Sequence, residues 1–395
     1  MKDKKHIPHR LARATRGKFT VISFLYLFLS LSIYAQSSAA FNTAKEHDED
    51  NGTHNSLVKI NDSNNTYLLA FTGYGGSAGY LKSFTIAKDG NTITPLTLNG
   101  DADFNFDSKK GNFNSLVQLN ADIFVLAYSG VGDDGFIKTF KVSSDGKTIA
   151  TVETKEHDYK QGQYNSLIRL DANTVALAYY GEGGTGTQGG YIKTFTIADN
   201  GSAITEAAVK NYKTGSTRYN SLVKVDLNTL AVAYNGGGGF LETLDIADDG
   251  KIITEVKTFQ FDKYSQGTYN DLIIGGAREK FVLAYHGNED GQGGMIKTFT
   301  IATDGTITHE ASLKHSTGST FWNKLVTVSS ETYALFYRDP SSGRGKVKTL
   351  YIPEDVKLIS QVTDFEYYGA SNSNNSVIKV DGNVYANAWS GAGDD

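Results

Sequence analysis

Cysteine is absent from this chain of 395 residues, and proline occurs only four times. Without cysteine there is no disulfide and no residue to carry a lipid, so stability must come from packing alone. Arginine is sparse, which argues against a cluster gripping an anionic substrate. The eight histidines are scattered, and no two have the spacing of a zinc motif. No Asp-x-Asp-x-Asp run marks a calcium loop. No long segment carries apolar residues at helical spacing. What remains is glycine, 42 residues, and aromatics, 23 Tyr and 21 Phe. Aromatics pack well on pleated sheets and glycine supplies turns, so the composition points to strands joined by glycine-rich turns.

The first 35 residues differ from the rest. Lys2, Lys4, Lys5, Arg10, Arg13, Arg16 and Lys18 form a basic head, and Phe19 to Tyr34 is an apolar run ending near Ala35. A basic region, an apolar core and a small residue are the layout of a secretory signal peptide. An uncleaved anchor is the alternative, since sixteen apolar positions fall just short of a membrane span. Residues 1–35 are therefore expected to be a cleaved signal, leaving no membrane span and a secreted or outer-surface protein. Removing the head and Asp3 leaves 31 basic against 42 acidic residues, a net charge of −11. A surface of that sign is not expected to take nucleic acid as a partner.

Seven copies of one pattern fill the remainder. Each opens on an Asn, at positions 55, 114, 165, 220, 270, 323 and 375. It reads Asn-Ser-Leu-Val, Leu-Ala-Tyr-x-Gly, Gly-x-Ile-Lys-Thr-Phe-Thr-Ile, Asp-Gly-x-x-Ile-Thr. In the third copy Asn165 to Leu170, Thr174 to Tyr180, Tyr191 to Ile197 and the run from Ile204 are four short strand patterns separated by turn residues. Asp-Gly or Asn-Gly stands between strands three and four at Asp89-Gly90, Asp145-Gly146, Asn200-Gly201, Asp249-Gly250 and Asp304-Gly305, a signal for two-residue hairpin turns. A four-stranded antiparallel sheet with two apolar faces is poorly stable alone, and arranging the copies radially covers both faces. The predicted fold is all-β, a β-propeller of seven four-stranded antiparallel blades spanning residues 41–395.

The ends suggest a shared last blade. Ala44-Lys-Glu-His-Asp48 matches Thr154-Lys-Glu-His-Asp158, so Phe41 to His47 is expected to be an orphan fourth strand. Ala388-Trp-Ser-Gly-Ala-Gly-Asp-Asp395 matches Ala127-Tyr-Ser-Gly-Val-Gly-Asp-Asp134, which precedes a third strand. The last blade is predicted to close with the N-terminal strand and to lack strand three in this sequence, which is therefore expected to be truncated inside its last copy; a last blade with a missing strand and poor closure is the alternative.

Long loops between strands two and three, and between blades, gather on one face, where a rigid scaffold offers binding residues. An aromatic stands before five of the opening Asn residues: Phe113 and Asn114, Tyr164 and Asn165, Tyr219 and Asn220, Tyr269 and Asn270, Trp322 and Asn323. Rings present flat faces to sugar C–H groups and amides both donate and accept, so these ten residues are the expected ligand-binding set. They can equally serve structure, the Asn bonding interblade backbone and the ring packing between blades. The recurrent Lys82, Lys138, Lys193, Lys297 and Lys348, replaced by Glu242 in copy four, reads as an amphipathic stem over aromatics, paired with an acid of the next blade. A single active site would have to break the repeat. The breaks are Glu182, Glu242, Asp271, His286, His315, Trp322 and Arg338-Asp339. No catalytic residue is assigned; a His286–Glu182 pair across the channel mouth is the one to test, and drift between copies explains the same residues without chemistry. No metal site and no cofactor is expected.

The Asn-Ser-Leu-Val and Gly-Tyr-Ile-Lys-Thr-Phe-Thr-Ile motifs resemble repeats of secreted or surface proteins of Bacteroidetes-type bacteria. The resemblance covers nearly the whole chain after the head and brings no activity with it. The Asp-Gly turns differ from the Asp-box of sialidase-like propellers, which separates Asp from Gly. The expected function is a secreted or cell-surface binding propeller, with an extracellular glycan or protein as partner. A propeller hydrolase or lyase with one site at the channel mouth, and a structural module of a larger surface protein, are the alternatives.

Overall fold

The computed structural model describes residues 40–49, 52–73, 77–264, 266–277, 279–289, 291–369 and 371–391. The signal-peptide expectation for residues 1–35 lies outside them. The first sheet comprises β1 (Thr53–Asn61), β2 (Thr66–Thr72) and β3 (Gly79–Ile86), with its fourth position split between β4 (Ile93–Pro95) and β5 (Phe104–Asp107), both paired to β3. The second holds β6 (Asn112–Gln118), β7 (Ile123–Ser129), β8 (Gly135–Val142) and β9 (Ile149–Asp158). The third holds β10 (Gln163–Arg169), β11 (Thr174–Gly181), β12 (Gly189–Ile197) and β13 (Ile204–Thr214). The fourth holds β14 (Arg218–Lys224), β15 (Thr229–Asn235), β16 (Gly239–Ile246) and β17 (Ile253–Asp262). The fifth holds β18 (Thr268–Ile274), β19 (Lys280–Gly287), β20 (Gly293–Ile301) and β21 (Ile307–Ser316). The sixth holds β22 (Phe321–Thr327), β23 (Thr332–Arg338), β24 (Gly345–Tyr351) and β25 (Ser360–Tyr368). The last copy forms only β26 (Asn372–Asp381) and β27 (Val384–Gly391).

The molecule is thus an all-β propeller with six complete blades, not seven. The seventh copy contributes a two-stranded sheet, because no described segment supplies its third strand and a fourth strand has nothing to pair with. Residues 40–49 accordingly form no strand. Their placement nevertheless follows the repeat: Lys82 Nζ donates to His47 O at 2.6 Å, as Lys138 does to Phe106 O and Lys193 to His157 O. His47 therefore stands where the other blades end their fourth strand.

Position within the blade explains the sequence pattern. Strand two is covered on both faces by neighbouring blades, so β2 and β7 are buried at every residue and read as unbroken apolar runs. Strand four lies at the rim, and β13 alternates between exposed and covered positions. The cores sit between blades. Leu177, Tyr179 and Phe195 of the third blade pack on Val125, Ala127 and Ile137 of the second. Ala176, Ala178 and Ile192 pack on Leu230, Val232 and Leu244 of the fourth.

The Asp-Gly turns are wider than two residues. Gly90 N bonds Ala87 O and Ala87 N bonds Thr92 O, so the chain makes a β-turn closed by a glycine at φ 72°. That left-handed angle is the reason for the glycine. Four of the five turns are gripped by the blade before them. Ser83, Thr139, Thr194 and Thr243 donate to the carbonyls of Gly146, Gly201, Gly250 and Gly305 at 2.6–2.8 Å.

Candidate functional site: an aromatic collar at the channel mouth

The first strands β1, β6, β10, β14, β18, β22 and β26 stand in a closed circle, each beside the next and β26 beside β1. Near its start each carries a bulge, seen as a register shift such as that between Gln163 and Ser166. The extra residue lies in the left-handed region. His54, Phe113, Tyr164, Tyr219, Tyr269, Trp322 and Asn374 all have φ between 51° and 57°. Bulky side chains in that region cost about 1–2 kcal/mol each, and such outliers concentrate where geometry matters.

The bulge turns each carbonyl toward the following blade. Asn55, Asn114, Asn165, Asn220, Asn270, Asn323 and Asn375 donate through Nδ2 to the carbonyls of Asn374, His54, Phe113, Tyr164, Tyr219, Tyr269 and Trp322 at 2.9–3.2 Å. This closed circuit of seven joints includes the incomplete last blade. The Ser one residue on adds a second circuit. Ser56, Ser115, Ser166, Ser221 and Ser376 accept from the Leu backbone N–H of the following blade at 2.9–3.0 Å. Asp271 fills this position in the fifth blade, accepting from Leu325 N–H at 2.6 Å and pairing with Lys324 at 2.6 Å.

The bulge also stacks the side chains around the mouth. Ring centroids are 4.7 Å apart for His54–Phe113 and Phe113–Tyr164, 5.0 Å for Tyr164–Tyr219, 4.4 Å for Tyr219–Tyr269 and 5.0 Å for Tyr269–Trp322. Six rings make a continuous collar, and Asn374 stands at the seventh position. All six are partly exposed. Burial, then hydrogen bonding to the Tyr269 hydroxyl, raises the Tyr219 phenol, and burial raises that of Tyr164. Burial with the Lys110 cation pushes His54 down to about 4, so its imidazole is neutral at physiological pH. Further out on this face, Tyr159 and Tyr264 project from interblade loops at 70% and 55% exposure.

The ten expected ligand residues are divided by this geometry. The five aromatics lie together in the collar. The five Asn side chains commit their Nδ2 to the joints beneath it, while Oδ1 of Asn114, Asn165, Asn270 and Asn323 is buried without a partner among the described residues. The recurrent Lys bonds the preceding blade's fourth-strand carbonyl, and its acid comes from its own blade: Lys193–Glu206 at 2.8 Å and Lys348–Asp364 at 3.5 Å. The expectation of an acid on the next blade is corrected, since the ammonium points backward around the ring. Glu242 breaks this pattern together with Tyr212, which stands where His157 stands one blade earlier. Glu242 accepts from Tyr234 Oη at 2.9 Å, and Tyr212 Oη donates to Asn220 Oδ1 at 2.9 Å. Burial raises the Glu242 carboxyl to about 7.

His286 and Glu182 belong to the fifth and third blades, with the fourth between them. His286 Nδ1 is buried without a partner among the described residues, and the ring lies 6.1 Å from Phe321. Glu182 opens its loop, its N–H held by Asp158 Oδ2 at 2.9 Å. His315 ends a fourth strand, edge-on to Tyr337 at 5.1 Å. Arg338 lies over Phe321, and Asp339 accepts from the Ser341 and Ser342 hydroxyls at 2.7 Å. Among the described residues no three His, Asp or Glu side chains are grouped to hold a metal ion.

One structural set escaped the sequence reading. Asp107, Asp158 and Asp262 end fourth strands and fasten the loops of the collar face. Asp158 alone accepts from Lys160, Gln161, Glu182 and Gly183 N–H at 2.7–3.2 Å. Asp262 holds Tyr264 and Asn288 N–H at 2.9 and 2.8 Å. The visible signal was an Asp recurring at the end of strand four. A separate apolar depression of about 890 Å³ lies on the opposite face, with Leu227 and Ile252 exposed at its edge.

Blades, interblade cores and a circle of first strands define a β-propeller. No family model and no curated protein matches the sequence. Among solved structures, the periplasmic gluconolactonase of Pseudomonas aeruginosa is similar at a TM-score of 0.61 and 12% identity, over 85% of this chain and 88% of that one. A proposed 6-phosphogluconolactonase of Bacteroides fragilis gives 0.57 and 15%, over 80% and 84%. The outer-coat vertex of COPII on membranes gives 0.55 and 11%, over 86% and 82%. At such identities the likeness is one of fold, and it spans an enzyme and a coat assembly alike.

Proposed function

We propose that this protein is an exported carbohydrate-binding propeller whose ligand seats on the aromatic collar. The carrying observation is the row of six adjacent rings, each set by a left-handed backbone that costs stability. Flat rings suit the apolar faces of sugars, and the Tyr164, Tyr219 and Tyr269 hydroxyls supply polar contacts. Tyr159 and Tyr264 extend aromatic surface outward, where a longer chain would run. The acidic balance favours neutral or cationic glycans over polyanions.

A test separates binding from structure. Tyr219→Gly removes a ring but relieves the left-handed strain, so thermal stability should stay within a few degrees while affinity for a retained polysaccharide falls at least tenfold. Isothermal titration with oligosaccharides, beside a thermal melt, reads both. Unchanged affinity in Tyr219→Gly and Tyr269→Gly would remove the collar from the site.

The second reading is hydrolysis of a sugar lactone at the same mouth. It is favoured by the gluconolactonase names of two fold neighbours, and a lactone is itself a sugar ring. Base consumption in a pH-stat with gluconolactone is the check. No rate above spontaneous hydrolysis disposes of it, and unchanged turnover in His286→Ala and Glu182→Ala would move the chemistry elsewhere.

A further inference from the structure

Turns between strands one and two and between strands three and four make up the face opposite the collar, and three columns of the repeat break there at one spot. The middle of the first turn is Ala121, Ala172 or Ser330 in the second, third and sixth blades but Leu227 in the fourth. The residue before the isoleucine that leads strand four is Thr92, Thr148, Ala203 or Thr306 in the first, second, third and fifth blades but Ile252 in the fourth. Strands β6, β10, β14 and β22 end on Gln118, Arg169, Lys224 and Thr327, whereas β18 ends on Ile274. Leu227, Ile252 and Ile274 come from two adjacent blades and line one depression of about 890 Å³. They are 87%, 63% and 45% exposed.

Drift between copies scatters such changes. Leu358 is the isolated case: it is the apolar residue of the second column in the sixth blade, and its companions in the other two are Ser330 and Lys379. A single exposed leucine is ordinary surface, but three columns turning apolar together make a patch fit for a partner. The border of this patch is acidic. Asp226 and Asp245 line it, and the exposed Asp248, Asp249 and Asp304 stand next in the chain to its lining residues. The N–H groups of Lys251 and Thr306 hold Asp249 and Asp304 below the usual carboxylate range. The lysines at hand are engaged: Lys224 Nζ donates to Leu170 O at 2.6 Å, and Lys251 pairs with Asp249 at 3.4 Å. These charges select the occupant. A second copy would bring like acids against these, and an anionic bilayer would be repelled in the same way. A polypeptide with large apolar side chains flanked by Lys or Arg meets floor and border together.

We propose that this depression is a docking surface for a basic amphipathic segment of a partner protein. Its apolar side chains rest on Leu227, Ile252 and Ile274, and its Lys or Arg side chains meet Asp226, Asp245 and Asp248. Apolar contact at the centre supplies affinity, while the acidic border supplies steering and selectivity. The site lies on the face away from the collar, so a glycan and a protein partner can be held at once, and neither reading depends on the other.

The test uses the full chain and, as probe, a fluorescein-labelled amphipathic helical peptide made of leucine and lysine alone. Fluorescence anisotropy should show saturable binding that weakens as salt rises. The triple variant Leu227→Ala, Ile252→Thr, Ile274→Thr gives each position a residue type that its column holds elsewhere. It should keep the parent's thermal melt and bind the probe at least tenfold more weakly. A peptide with Glu in place of every Lys should bind at least tenfold more weakly to the parent. Hydrogen exchange should slow at residues 225–228 and 251–253 on binding and stay unchanged in the loops of the collar face. The proposal is overturned if the folded parent ignores the probe, if the triple variant or the Glu peptide binds as well, or if protection appears on the collar face. It is also overturned if the parent, but not the triple variant, sediments as a dimer or floats with phosphatidylcholine vesicles, since a second copy or a bilayer would then be the occupant.

Discussion

A single asparagine shows how residue chemistry is spent in this protein. Asn165 Nδ2 donates both to Gly162 O in its own interblade turn and to Phe113 O of the preceding blade. The amide thus ties a turn to a joint, and sevenfold repetition follows from a sevenfold structural need. Asn165→Ala removes both bonds and leaves two carbonyls under-satisfied, so urea unfolding should show a loss of about 1–3 kcal/mol with glycan affinity nearly intact. The histidines ending fourth strands carry a pH signature. Burial, then the neighbouring Lys193 or Lys348, pushes His157 and His315 down to about 3 from 6.5. The folded protein refuses protons that the unfolded chain accepts. Their contribution is therefore complete above pH 6.5 and drains away as pH falls toward 3, by about 1.4 kcal/mol per pH unit for each histidine. Phe106 and Phe261 occupy the same place in other blades. The double variant His157→Phe, His315→Phe should therefore unfold at distinctly lower pH than the parent in an acid titration followed by circular dichroism.

Among the elements, strand two and strand one divide the labour. Strand two is apolar throughout because blades cover both its faces, and Leu177 is wholly buried between the second and third blades. Leu177→Ala should cost about 2–5 kcal/mol in a denaturant melt, since the flanking strands are fixed by ladders on both sides and cannot collapse inward. Strand one is short of apolar residues and instead carries the joints, so its bulge couples two outcomes of one backbone choice. The carbonyl goes to the next blade and the ring goes to the collar. Close glycine contacts serve the same face: a Cβ on Gly162 would lie 2.1 Å from the Gly135 Cα, so the interblade loop can lie flat on strand three only without side chains.

At the scale of the whole molecule, the described residues form a ring that is closed on the inside. Seven first strands and seven Asn joints close the inner circle, while the seventh blade has two strands among the described residues. Stability should be uneven as a result. Amides of β27 are expected to exchange with solvent orders of magnitude faster than those of β7, β11 or β19, which are paired on both edges. Equal protection in a native-state exchange experiment would mean that the open edge is covered.

The repeat by itself determined the class of fold, because apolar strands of that length and spacing bury their faces only by radial stacking. It also marked the Asn joints and the turn glycines, both of which are local chemistry repeated in register. Other features depended on distances between copies some fifty residues apart, which no column of the repeat contains. Only the tertiary structure reduced the blades to six, since residues 40–49 match a strand in sequence yet form none without a partner beside them. Only it gathered the single aromatics before each Asn into one collar and turned the Lys toward the preceding blade. Alternation in a strand tells which face a side chain takes; the closure of the ring decides what it meets there.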